Sequence, residues 1–207
     1  MAAGDVANAI EAIRAGEAVL LPADGVYGLC ASAYREAPVR RLYEVKGRDA
    51  GQPSAMIAAS VAMLIECVPE LRGRSEVIVR ALLPGPFTLV LPNPARRYGW
   101  LTGERPDTIG VRVADLPTES QYVLDAVGAV AATSANDPGD PSPATLDDVS
   151  ARIREGCKAE IDAGELSGLA STVLDFTGPF PEVIRVGAGD PEEAVALAAE
   201  ALSLPIA

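Results

Sequence analysis

The chain has 207 residues, 49% of them hydrophobic and only 4% aromatic, enough for one compact core built from Ala, Val, Leu and Ile. It holds no histidine, which excludes Ser-His-Asp and Cys-His catalysis and His-based zinc sites. A formal net charge of −12 disfavours broad binding to a phosphate backbone.

Cys30, Cys67 and Cys157 are widely spaced and odd in number. They suit a reducing cytoplasm and offer no metal-ligand spacing. The opening MAAGDVANAIEAIRAGEAV carries acid early and no basic run before an apolar stretch, so no secretory signal is expected. No apolar run approaches the roughly 20 residues of a membrane span.

In chain order, Asp5 caps a helix with apolar positions Val6, Ala9, Ile10 and Ile13, stopped by Gly16. AVLL (18–21) reads as a buried strand. PADGVYGLC follows at 22–30. A strand that ends in Pro-x-x-Gly and resumes as Val-Tyr-Gly-Leu does not read as a simple hairpin. It reads either as a tight connection or as the wall of a ligand pocket. Pro38 suits the first turn of a helix faced by Val39, Leu42 and Tyr43, which runs into KGRDAGQP. SAMIA (54–58) is a strand, and Ser60 caps a helix holding Met63 and Leu64. A helix over 75–83 ends at PGP, and FTLVL (87–91) and TIGVRV (108–113) are strands.

Thr118 and Gln121 have capping-box spacing for a helix to about residue 127. VAATS (130–134) is a strand leading into NDPGDPSP. Thr145 and Asp148 cap a helix ending at Gly156. Strands fit 158–162, 171–176 and 182–186, and Asp190-Pro191 opens a last helix to about 203. Interleaved strands and helices predict a single α/β domain over 1–207, with a twisted mixed parallel/antiparallel sheet covered by helices.

Three strand-end loops share a chemistry. KGR carries Lys46 and Arg48, TSAND carries Ser134 and Asn136 with Ser142 beyond, and VIRVG carries Arg185. Arg112 sits within the apolar run IGVRV, where a guanidinium is costly unless paired. Planar guanidinium forks, a lysine charge, hydroxyls and an amide together suit a polyanion such as a nucleotide. Each also has a structural reading: a solvated helix end for Lys46 and Arg48, a turn for Ser134 and Asn136, an ion pair for Arg112, an exposed strand for Arg185. Neither the G-x-x-x-x-G-K-[ST] loop nor a G-x-G-x-x-G between strand and helix is present.

The order GEAVLLPADGVYGLC, KGR, LLPGPFTLVLP, TIGVRVADLP, TSANDPGDPSP, STVLDF and VIRVG resembles the YrdC-like family, the threonylcarbamoyl-AMP synthases and their paralogues, over roughly 8–189. The resemblance implies the short, single-domain bacterial type with a concave, cation-lined cleft. It implies synthesis of threonylcarbamoyl-adenylate from L-threonine, bicarbonate and ATP with Mg²⁺, the product passing to a tRNA-modifying partner. Carried over by position, Lys46 and Arg48 hold phosphates and carbamate and are the catalytic pair. Thr108, Ser134, Asn136, Ser142 and Arg185 bind the nucleotide. Gly25, Lys46, Arg112 and Ser171 face the amino acid, and no side chain is assigned to a metal. The family usually carries Thr at the two positions that are Ala23 and Gly25 here, and often Leu where this chain has Ser54. The amino-acid end is therefore expected to be wider by two side chains. A paralogue acting on another small amine or acid, and a non-catalytic module binding tRNA or double-stranded RNA, are the alternative readings.

Overall fold

A computed structural model describes residues 3–49 and 51–203. Among the described residues, nine strands form one sheet in the order β7-β1-β2-β6-β3-β5-β4-β8-β9. They are β1 Val19–Pro22, β2 Tyr27–Ser32, β3 Ala55–Ala58, β4 Phe87–Pro92, β5 Thr108–Arg112, β6 Ala129–Ser134, β7 Ala159–Glu160, β8 Thr172–Asp175 and β9 Glu182–Arg185. Pairs β1–β7, β3–β5 and β4–β8 are parallel and the others antiparallel. The α/β class with a mixed sheet is as the sequence predicts. No helix among the described residues is long and apolar enough to cross a membrane.

Among the described residues, seven helices accompany the sheet: α1 Ala3–Ala15, α2 Glu36–Lys46, α3 Val61–Cys67, α4 Arg74–Leu82, α5 Thr118–Val127, α6 Ala151–Glu155 and α7 Pro191–Ser203. Strand alternation sorts side chains to two faces. One face presents Leu20, Tyr27, Leu29, Met56, Leu89, Val111 and Leu174 to a single core with Leu42 of α2, Leu64 of α3, Ile78 of α4 and Ala194 of α7. Each such fully buried leucine contributes about 1.5–3 kcal/mol of hydrophobic stabilisation. The other face is covered only in part. There α1 and α5 bring Ala9, Ile13, Val123 and Leu124 onto Val19, Leu21, Cys30, Ile57 and Val130. The uncovered remainder is the floor of a cleft.

Several local expectations change. PADG does close a hairpin: Pro22 pairs with Tyr27, and the Ala23 amide donates to the Val26 carbonyl at 3.0 Å. Four residues suffice because Tyr27 resumes the strand at once. Ser60 caps α3, accepting from the Met63 amide at 3.1 Å. Thr118 caps nothing; Pro117 occupies the N-cap of α5, and Gln121 instead donates to the Ala59 carbonyl at 3.1 Å. Thr145 and Asp148 do bond each other, at 2.8 and 2.9 Å, but they close their own turn and α6 starts later, at Ala151. The strand expected over 158–162 is only two residues long.

Candidate active site

The cleft encloses about 300 Å³. Strand alternation builds its floor: Thr108, Gly110 and Arg112 from β5, Thr88 and Val90 from β4, Ala55 and Ile57 from β3, Ala132 and Ser134 from β6, with Gly28 of β2. Gly28, Ala55, Gly110 and Ala132 carry little or no side chain, so a ligand can lie close to the backbone. Four arginines, Arg48, Arg105, Arg112 and Arg185, stand in the wall, and no Asp or Glu is among the lining residues. A chain of net charge −12 thus presents a cationic interior to this one hollow.

Arg48 enters from the C-terminal end of α2. That helix stops because Gly47 adopts a left-handed φ of 66° and its amide caps the Glu44 and Tyr43 carbonyls. The Arg48 guanidinium donates to Thr133 Oγ1 at 3.1 Å and to the Pro53 carbonyl, and it lies 5.7 Å from the centre of the Tyr43 ring. Its Nε is buried with no partner. Burial lowers its pKa from the usual arginine range.

Lys46 is 4% exposed and lies behind the cleft wall. Its ammonium donates to the Ser134 carbonyl at 2.7 Å, to Asn136 Oδ1 at 2.9 Å and to the Asn136 carbonyl. An ammonium has three hydrogens, so Lys46 is fully committed to the turn that follows β6. Burial, and then the neighbouring Arg48 charge, push its pKa down to about 8. Ser134 Oγ donates to Asn136 Oδ1, and the Asn136 amide group donates to the Asp137 and Asp140 carbonyls at 3.0 and 2.7 Å. Arg152 of α6 clamps the same corner, donating to the Val45 and Lys46 carbonyls and to Asp137.

Across the cleft, Arg112 Nη2 donates to both oxygens of Asp24, at 2.8 and 2.7 Å. Both side chains of this pair are largely buried, and Arg112 Nε has no partner. The ion pair removes the cost of a lone buried charge. Arg185 donates through Nε and Nη2 to the Ser171 carbonyl at 3.1 and 2.7 Å, and through Nη2 to Ser171 Oγ at 3.1 Å. Arg185 is exposed along β9, and partial desolvation of its guanidinium, with the Arg112 charge, lowers its pKa. Ser171 Oγ and Thr88 Oγ1 share a hydrogen bond of 2.8 Å.

Six of the residues singled out in the sequence line this cleft: Arg48, Thr108, Arg112, Ser134, Ser171 and Arg185. Lys46 and Asn136 stand one contact behind Ser134. Ser142 is half-buried and outside the lining, and so is Gly25. The expected widening at Gly25 does not occur, because a Cβ there would lie 2.1 Å from the Leu169 carbonyl and 2.9 Å from Ser167 Oγ. A neighbouring loop fills the space, tied down by the Gly168 amide on the Gly25 carbonyl at 2.8 Å. Arg105, anchored on Asp175 at 3.0 Å, and Thr88, Thr102 and Ile57 complete the wall. Sequence reasoning passed over them; Thr88, a lone hydroxyl within the apolar run FTLVL, was the available signal.

A family model described as "Telomere recombination", that of the Sua5, YciO and YrdC proteins, matches residues 11–187. The chain is 35% identical to the threonylcarbamoyl-AMP synthase of Pyrococcus abyssi over 176 residues, 84% of this chain and 52% of that protein. It is 32% identical to the threonylcarbamoyl-AMP synthase of Vibrio campbellii over 162 residues, 77% of this chain and 86% of that protein. It thus spans about half the length of the first relative and most of the second. The solved structure of P. abyssi Sua5 complexed with L-threonine superposes with a TM-score of 0.83 at 33% identity, covering 93% of this chain and 56% of that one. The structure of E. coli YciO shares the fold, with a TM-score of 0.77 at 24% identity over 89% of this chain and 90% of that one. With the matched segment spanning nearly every element that builds the cleft, the chain belongs to the Sua5/YciO/YrdC family.

Proposed function

We propose that this chain makes threonylcarbamoyl-AMP, acting as one YrdC-like unit in the cytoplasm. The amine of L-threonine forms a bond to the carbon of CO₂ derived from bicarbonate and loses a proton, giving a carbamate. A carbamate oxygen then bonds to the α-phosphorus of ATP as the bond to the bridging oxygen breaks, and pyrophosphate leaves. Arg48 and Arg185 hold phosphates, Thr108 and Ser134 the nucleotide, and Arg112 with Ser171 the amino acid. Lys46 and Asn136 set the position of Ser134, and Ser142 stands beyond them on the nucleotide side. Mg²⁺ arrives on the phosphates of ATP as part of that substrate. Among the described residues no group of three His, Cys, Asp or Glu side chains is gathered for a metal. The product goes to a tRNA-modifying enzyme.

The observation that carries this reading is the convergence of four arginines, Arg48, Arg105, Arg112 and Arg185, from distant segments on one hollow without a lining carboxylate. Such a site needs no covalent chemistry from the protein. It orients anions and stabilises the charge that develops on the transferring phosphoryl group. The test is pyrophosphate release with ATP, bicarbonate and L-threonine. Release should require all three, and Arg48→Ala should lower it about 10²–10³-fold. Unchanged release in Arg48→Ala would overturn the role given to the cleft.

A further inference from the structure

If the cleft takes ATP, a reading on which all that follows rests, three of its arginines have a ligand to hold and Arg105 has none. Arg105 lines the cleft and is fixed at both its backbone and its side chain. Its carbonyl accepts from the Thr108 amide and from Thr108 Oγ1, both at 3.0 Å. Its side chain is half exposed, yet Nη1 donates to Asp175 Oδ2 at 3.0 Å and Nη2 to Thr177 Oγ1 at 3.4 Å. Asp175 is locked in turn, accepting from the Thr177 amide at 2.8 Å and from Thr177 Oγ1 at 2.5 Å. A guanidinium has five N–H donors. Two are used, and Nε has no acceptor among the described residues.

Strand register shows where this cation stands. Asp175 pairs with Val90, Val90 with Gly110 and Gly110 with Ala55. Paired residues share a face of the sheet, so Asp175 belongs to the cleft face at its β8 side. It is 7% exposed and outside the lining, while the arginine bonded to it is in the lining. The pair thus turns a carboxylate position of the floor into a cationic one. Val173, two residues before Asp175 and about 7 Å from it along the strand, pairs with Arg185. Arg105 and Arg185 therefore flank the same side of the cleft, across β5 and β4 from Arg48, which bonds Thr133 of β6.

We infer that Arg105 is a further nucleotide-binding residue, donating to phosphate oxygens of ATP beside Arg185, and that Asp175 is its positioning residue. A triphosphate offers oxygens along its whole length, more than one guanidinium fork can serve. The Asp175 and Thr177 bonds hold Arg105 in place beforehand, so less side-chain freedom is lost when the ligand arrives.

The experiment is calorimetric titration of ATP and of adenosine into the parent, Arg105→Ala, Asp175→Asn and the double variant, with KM for ATP and for L-threonine measured alongside. A half-exposed ion pair contributes little to stability, so all four proteins should fold. Arg105→Ala should weaken ATP about 10–100-fold, the worth of hydrogen bonds between charged groups, and raise KM for ATP. Adenosine affinity and KM for L-threonine should not move. Asp175→Asn alone should weaken ATP less, and the double variant should match Arg105→Ala. ATP affinity unchanged in Arg105→Ala overturns the inference, and so does an equal loss for adenosine, which would put Arg105 on the nucleoside. Parental ATP affinity in the double variant also overturns it, since Arg105 would then only mask the Asp175 charge. A parent that binds no ATP overturns the reading of the cleft itself, and the inference with it.

Discussion

Lys46 shows how far a residue's chemistry depends on its hydrogen-bond partners. In the sequence it reads as a cation free to meet phosphate. In the fold its three donors hold Ser134 and Asn136. Removing it takes the donor from two part-buried carbonyls, a cost of about 1–3 kcal/mol for each that is left unpaired. Lys46→Ala should therefore lower both urea stability and turnover, whereas Arg48→Ala should lower turnover more than stability. A Lys46→Ala protein as stable as the parent would contradict this. The depressed pKa has a consequence for pH. Below about 8 the ammonium is intact and favours an anionic ligand. Above it, binding must recapture a proton, so ATP affinity should fall as pH rises through this value. Lys46→Arg does not titrate there, and the fall should disappear in that variant; calorimetry at successive pH values reads both. Gly25 teaches a related lesson. Its role is to let the Leu169 carbonyl approach, so Gly25→Thr should destabilise by about 1–3 kcal/mol through overpacking. Thermal unfolding of Gly25→Thr against Ala23→Thr tests this, and an unchanged melting temperature for Gly25→Thr would refute it.

Among the elements, those whose signals are local were legible. Ser60 before an apolar turn, Gly16 after α1 and Pro191 at the start of α7 act within a few residues, and the strands FTLVL and TIGVRV stand where their apolar runs put them. Capping assignments at Thr118 and Thr145 were not legible, because a threonine that can cap also competes for turns and for solvent. Ser60→Ala should cost about 1 kcal/mol of stability, and Thr118→Ala, at an exposed position without a cap bond, close to nothing. Urea denaturation of the pair separates the two cases; equal losses would restore the capping box. The site was legible where polar groups interrupt apolar strand ends, as in KGR, TSAND and VIRVG. Ile57 and Ala132 were not, because alternation assigns a face without showing whether a helix covers it. Here α1 and α5 reach only part of the second face, and Ile57 stands at their margin.

For the whole molecule, the sheet divides the labour. One face carries the larger core, and the half-covered face leaves a cationic hollow in an acidic protein. Truncating the larger core at fully buried Leu89 should cost about 2–5 kcal/mol in Leu89→Ala. The net charge opposes long-range attraction to a polyanionic backbone, while the proposed nucleotide would be met by local arginines inside the cleft. The most direct measurement is a crystal structure of the protein with ATP and its amino acid. The triphosphate is expected between Arg48 and Arg185, with the nucleotide against Thr108 and Ser134 and the amino-acid carboxylate on Arg112. A nucleotide bound elsewhere, with this cleft holding only water, would contradict it.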